Sequence, residues 1–352
     1  CLLMPGERGG SSRRWPVALP SPPRTTFLPS PMRWLHRYTK LLAAASLLLI
    51  TAGGLVTSTG SGLAVPDWPN TYGHLMFAFP FSKMVGGILY EHGHRLIASV
   101  VGLATIGLAL WLSHAESRPW VRRLGWIALL TVIVQGLLGG ITVLYFLPAP
   151  ISIGHAGLAQ IFFTLVVSLG IFTSPGWIGY YGRTTDLNDR ILARLAILTP
   201  TVIYLQILIG ATMRHTGAGL AIPDFPLSFG QLIPPEWGPG IAIHFAHRLG
   251  AIVVTTFVLA TTGHILAHHR LRRELRRASL LLFGLLTLQV TLGAWTVLSA
   301  KHVAVNTAHV TIGALLLVSS VALALRVHRG WFRDSDGAKH PTANVETIGA
   351  RA

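Results

Sequence analysis

Residues 60–69 read Gly-Ser-Gly-Leu-Ala-Val-Pro-Asp-Trp-Pro, and residues 217–226 read Gly-Ala-Gly-Leu-Ala-Ile-Pro-Asp-Phe-Pro, 157 positions further on. Each decapeptide closes an apolar stretch, so the chain reads as a duplicated unit. The duplication continues downstream, where His94-Arg95 recurs as His247-Arg248, Gln135 as Gln289 and His155 as His309.

Eight apolar stretches run at roughly 36–57, 90–113, 122–146, 152–173, 191–213, 243–266, 277–298 and 303–327. Each reaches the ~20 residues that cross a ~30 Å hydrocarbon layer. They are rich in Leu, Ala, Val, Ile and Gly with no two-residue alternation, which reads as helix; barrel strands are ~10 residues long and alternate. The 352 residues are 51% hydrophobic and 11% charged, with a mean hydropathy of +0.56. Soluble domains carry roughly 25% charged residues, so a soluble enzyme and an extended disordered chain are both excluded. The expected fold is an all-α integral membrane protein of eight transmembrane helices in two four-helix bundles. Because four is even, both halves enter from the same side, as parallel repeats about an axis along the membrane normal.

The excess of 28 Lys+Arg over 12 Asp+Glu would suggest nucleic acid in a soluble protein. Here it sets orientation, and no nucleic-acid partner is expected. With the N-terminus inside, Arg118, Arg122, Arg123, Arg183, Arg190, Arg194, Arg270, Arg272, Arg273, Arg276 and Arg277 all fall on the inner side. The outer segments hold only Lys83, Arg214 and Lys301. The positive-inside rule therefore places both termini in the cytoplasm.

Residues 1–31 carry seven prolines and one acid, Glu7, and are expected to be disordered. They read either as a transit-like presequence or as an overextended start, with Met32 as the initiator. The expected divisions are an N-terminal half over 32–175, a cytoplasmic linker over 176–189, a C-terminal half over 190–328 and a disordered cytoplasmic tail over 329–352. Arg33, Arg37 and Lys40 before the first apolar run also resemble a signal peptide, but the repeat argues that this segment is retained.

The single cysteine, Cys1, excludes an intrachain disulfide, a cysteine zinc site and an iron–sulfur cluster. Metal chemistry must use histidine. His94 pairs with His155, and His247 with His309, one on the second and one on the fourth helix of each half. Such a pair either hydrogen-bonds between helices or supplies two axial imidazoles to a heme iron. Cofactor sites in four-helix bundles lie between facing helices, so one heme-sized site per half is expected.

Arg95 and Arg248 follow the first histidine of each pair. Burying an arginine in a bilayer costs at least ~2.5 kcal/mol, so each either pairs with an anion such as a heme propionate or snorkels outward. Glu91 stands one helical turn before His94, whereas His244 holds that place before His247. This difference suggests chemistry in the first half and a held cofactor in the second, with Glu91 as proton donor or acceptor or as an interfacial carboxylate. Asp67 and Asp224 read as turn-formers in loops that cover the two sites. Gln135 and Gln289 either bridge helices or face the porphyrin.

Glu91-His92-Gly93-His94-Arg95, Gly154-His155-Ala156, His244-Phe245-Ala246-His247-Arg248 and Asn306-Thr307-Ala308-His309, with the two Pro-Asp-aromatic-Pro loops, resemble the heme A synthase family over roughly 33–328. The resemblance implies a heme b between His247 and His309, and the substrate heme O near His94 and His155 with Glu91 essential. It implies that a porphyrin methyl is oxidised to a formyl group by successive hydroxylations, the gem-diol losing water, to give heme A for cytochrome oxidase assembly. It also implies a heme O synthase and an electron donor as partners, with an oligomer possible. Some members carry outer-loop cysteine pairs that this chain lacks. The expected location is the bacterial cytoplasmic (inner) membrane, with the heme sites toward the outer side, in preference to the mitochondrial inner membrane. The rival readings are a diheme b-type quinol electron-transfer subunit and, below it, a parallel-repeat transporter. The first rival expects hemes near opposite membrane faces, but all four histidines map toward the outer side.

Overall fold

A computed structural model describes residues 30–178 and 189–332. The extension expected over 1–31 lies outside them except for its last two positions, which belong to the first helix. The 176–189 linker is described only at its ends, and the tail only to residue 332.

Eight long helices follow in order: α1 Ser30–Ser58, α2 Gly87–Ala115, α3 Pro119–Leu144, α4 Ala149–Phe172, α5 Arg190–His215, α6 Pro239–His268, α7 Arg273–Leu298 and α8 Val303–Val327. All eight are long and apolar enough to cross a membrane, and no strand occurs among the described residues. The chain is a multi-pass membrane protein. Most helices outrun their apolar stretches, because the terminal turns carry Arg and His whose long or amphipathic side chains reach the interface. α7, for instance, starts at Arg273, four residues before its apolar run. α3 does the opposite and stops at Leu144, since Phe146 and Leu147 take φ of 58° and 59°, a left-handed geometry that no helix continues through.

α1 packs on α2, α2 on α3, α3 on α4 and α4 back on α1, and α5 to α8 form the same ring. Leu35, Leu42, Leu108, Leu112, Phe162 and Leu169 fill the first bundle. Leu192, Ile203, Val258, Leu282, Leu317 and Leu323 fill the second. Leu103, Leu130, Ile252 and Leu281 point outward and exposed, as lipid-facing positions do. Because lipid gives apolar side chains no reason to leave it, close approach of small residues has to hold the helices together.

The rings meet through α1–α8, α4–α5 and α4–α8. Phe163, Ala314 and Val318 form the apolar part of this seam. Toward the ends that carry the long loops it turns polar: Arg214 donates to the Gly54 carbonyl (2.9 Å) and to Ser58 Oγ (2.8 Å). Asn306 and Thr307 also donate to Ser58 Oγ, at 3.2 and 3.1 Å.

The loops after α1 and α5 fold back over the bundle mouths. A β-carbon added at Gly140 of α3 would stand 2.5 Å from ring atoms of Trp68. Gly140→Ala is therefore expected to lift the rigid indole and destabilise the protein by about 1–3 kcal/mol. An unchanged thermal midpoint in detergent, with unchanged Trp68 environment, would contradict this packing.

Candidate functional site

A charged side chain set inside a helix bundle must collect oxygens or nitrogens of opposite polarity, and here the loops provide them. Arg95 on α2 donates to the carbonyls of Val65 (2.8 Å), Asp67 (2.7 Å) and Asn70 (3.0 Å) and to Glu91 Oε1 (2.6 Å). Glu91 Oε2 in turn accepts the Val65 N–H at 2.8 Å. In the second half Arg248 donates to the carbonyls of Ile222 (3.3 Å), Asp224 (2.6 Å) and Leu227 (2.7 Å), and the Ile222 N–H donates to His244 Nδ1 at 3.3 Å. Both arginines thus fasten their loops, and Glu91 and His244 hold the same loop position by different chemistry. The Arg248 Nε is buried with no hydrogen-bond partner.

Asp67 and Asp224 are turn-formers. Asp67 accepts the N–H groups of Tyr72 and Gly73 at 2.8 and 2.9 Å, and Asp224 those of Phe229 and Gly230, both at 2.8 Å. The peptide bonds before Pro69 and Pro226 are both cis. Thr71 caps the first loop from within, its hydroxyl lying 3.0 Å from Nδ1 of the buried His92.

Beneath these loops sit the histidine pairs. The His247 and His309 ring centres are 6.5 Å apart and inclined by 73°. Two imidazoles bound by their nitrogens to opposite sides of one metal ion have centres about 6 Å apart. His309 donates from Nδ1 to the Gln289 carbonyl (3.2 Å), the tautomer that leaves Nε2 as a ligand atom, and the Gln289 amide nitrogen lies 3.4 Å from that Nε2. Gln206 on α5 places its amide nitrogen 3.0 Å from His247 Nδ1 and 2.7 Å from the His247 carbonyl. In the first half the Nδ1 atoms of His94 and His155 are each buried without a hydrogen-bond partner. Gln135 bridges helices by donating to the His155 carbonyl at 2.9 Å.

Each of the four imidazoles rests against a glycine of the neighbouring helix. A β-carbon at Gly53 would lie 3.0 Å from His94 Cε1, at Gly139 3.2 Å from His155, at Gly210 2.9 Å from His247 and at Gly293 3.0 Å from His309. Four imidazoles seated in notches that a methyl group would fill, those of the first half with a buried and unpaired Nδ1 and those of the second held by glutamines, fit ligation of a heme iron in both halves.

A family model described as cytochrome oxidase assembly protein matches residues 36–321. The chain belongs to this family. Among cytochrome oxidase assembly proteins it is similar to a heme A synthase of Symbiobacterium thermophilum, 30% identical over 275 residues, covering 75% of this chain and 85% of the relative. A heme A synthase of Lysinibacillus sphaericus is 28% identical, over 80% of this chain and 92% of its own. One of Geobacillus kaustophilus is 27% identical, over 87% and 95%. The match gives no support to a quinol electron-transfer subunit or a transporter.

The four glycine seats, Gln206 and the bridging Arg214 escaped the sequence reading. The repeat offset held the clue: Gly53 and Gly210 are 157 positions apart, as the two decapeptides are, while Leu49 stands at that offset from Gln206 and Thr57 from Arg214.

Burial opposes ionisation of Asp67, yet the N–H groups of Gly73 and Tyr72 outweigh it and hold the carboxyl below its ordinary value. Gly230 and Phe229 do the same for Asp224. A carboxyl lowered by folding stabilises the loop fully above its unfolded value and loses that contribution as pH falls through the folded one. Amide protection at Tyr72, Gly73, Phe229 and Gly230 should therefore be constant down to about pH 4 and fall only below it. Loss of protection already near pH 6 would show that these carboxylates do not hold the loops.

Proposed function

We infer that this chain is a heme A synthase that oxidises a methyl group of heme O to the formyl group of heme A, with the substrate taken by the first bundle and a heme b held by the second. The observation that carries the division of labour is the exchange, at one loop-holding position, of the Glu91 carboxylate for the His244 imidazole. Glu91 puts a carboxylate beside His94, while His244 and Gln206 surround His247 with neutral hydrogen-bonding groups.

In this reading His247 and His309 would hold the iron of heme b, and the Gln289 carbonyl fixes the tautomer of His309. Bound there, heme b supplies one-electron redox chemistry. His94 and His155 hold heme O as substrate, and Arg95 keeps the loop closed over it, limiting water. Glu91, the one acidic side chain among the described residues of the first mouth that no turn consumes, gives or takes a proton at its carboxylate. Arg248 retains one N–H, at Nε, for an anion such as a propionate.

The positive-inside distribution supports both termini in the cytoplasm, parallel repeats, and heme sites toward the outer face of a bacterial cytoplasmic membrane. A heme O synthase supplies the substrate, and a separate donor supplies electrons.

Three variants separate the roles. His247→Ala or His309→Ala should remove the stably bound heme. Glu91→His, which copies the second half and keeps an acceptor for the Val65 N–H, should leave heme b bound and lower heme A formation at least about 100-fold, the scale of a lost acid–base group. Chromatographic separation of hemes B, O and A after coexpression with a heme O synthase reads both. Heme A at the parent rate from Glu91→His would sink the assignment, and two equivalents of heme B with neither heme O nor heme A would sink the synthase reading.

A further inference from the structure

Far from the histidine pairs, the start of α5 and the end of α6 bring together three donors that the synthase reading does not use. Asp189 Oδ2 lies 2.7 Å from Nε2 of His264 and 2.7 Å from Nε2 of His269. All three ligand atoms fall within 4.8 Å of one another. His264 is 17 residues along α6 from His247, about 26 Å at the helical rise.

We propose that Asp189, His264 and His269 form a binding site for a divalent transition ion of the zinc class. The donor set, two imidazoles and one carboxylate, is one that zinc takes with a fourth position left open. The donors are held before any ion arrives. Asp189 Oδ1 caps α5 by accepting the Leu192 N–H at 2.9 Å, which leaves Oδ2 facing the imidazoles. The His268 ring stacks on His264 with centres 4.4 Å apart. His269 closes α6, its N–H bonded to the Ile265 carbonyl at 2.8 Å.

In the metal-free geometry one carboxylate oxygen accepts from two imidazole N–H groups. Tetrahedral coordination at about 2.0–2.1 Å needs donor atoms about 3.3 Å apart, so the ion requires a spread of about half an ångström as each imidazole shifts its proton to Nδ1. Beside His269 lies a cavity of about 370 Å³, lined also by His268, Arg270 and Arg272. Those guanidiniums oppose a bare dication and favour an anion, hydroxide or a carboxylate, as the fourth ligand. The fold itself does not demand the cluster: at the matching positions of α2 stand Trp111 and Glu116, and Glu116 is held by Arg118 at 2.8 and 2.9 Å.

The test uses the full-length protein, isolated without a polyhistidine tag and stripped by chelator, with cobalt(II) and then zinc(II) as probes. The expected result is one equivalent of cobalt with tetrahedral d–d absorption, bleached by zinc. Asp189→Asn, which keeps the helix cap, and His269→Gln should each weaken binding about tenfold or more, and His114→Ala, at the exposed end of α2, should leave it within about threefold. Mass-spectrometric mapping of histidine carbethoxylation in the unmutated chain, which needs no variant to fold, should show zinc protecting His264 and His269. Absence of a tetrahedral cobalt spectrum, equal affinity in Asp189→Asn, or zinc protection only at the paired histidines of the bundle mouths would overturn the proposal.

Discussion

A guanidinium inside an apolar helix bundle has to be ringed by oxygens, and this molecule satisfies that demand by bending a loop inward. Arg95 and Arg248 each draw three loop carbonyls over the mouth of a bundle. The first loop cannot leave without stripping the buried Arg95 of its three carbonyls. The placement of both loops over the histidine pairs follows from that fastening. Glu91 belongs to the same arrangement, since its two oxygens serve Arg95 and the Val65 N–H together. The carboxylate proposed for the proton chemistry is thus also an anchor of the loop.

The architecture was legible because its causes are compositional. Eight apolar stretches and one repeated decapeptide determine the number of helices and the pairing of the histidines. Helix ends were less legible, because hydropathy stops at the first charge while the hydrogen-bond ladder does not, as at Arg273 of α7. Asp67 and Asp224 could be read as turn-formers because aspartate bonds backbone N–H groups a few residues ahead. The partners of Arg95 could not. The sequence says only that a buried guanidinium needs acceptors, and carbonyls are invisible in a list of side chains. The glycine seats are a similar case: a glycine in a membrane helix announces close packing, but which neighbour it admits depends on helix rotation.

The two halves also show how duplication permits divergence. His244 replaces Glu91, and Gln206 stands where the first half has Leu49, without disturbing the ring of helices. Each replacement keeps a hydrogen-bonding or packing function of its predecessor's position while changing its charge or polarity. The far end diverged more, with Asp189, His264 and His269 clustered in one half and the Glu116–Arg118 pair in the other.

The seam between the halves carries its own consequence. Arg214 grips the Gly54 carbonyl, and Gly54 adjoins Gly53, the seat of His94. Ser58, one turn beyond, is held by Asn306 and Thr307, which precede His309 by three and two residues. One strip of α1 backbone therefore touches both sites, seating His94 at Gly53 and holding, at Ser58, the turn of α8 that precedes His309. The two sites are neighbours with a common partition, so neither can be reshaped in isolation.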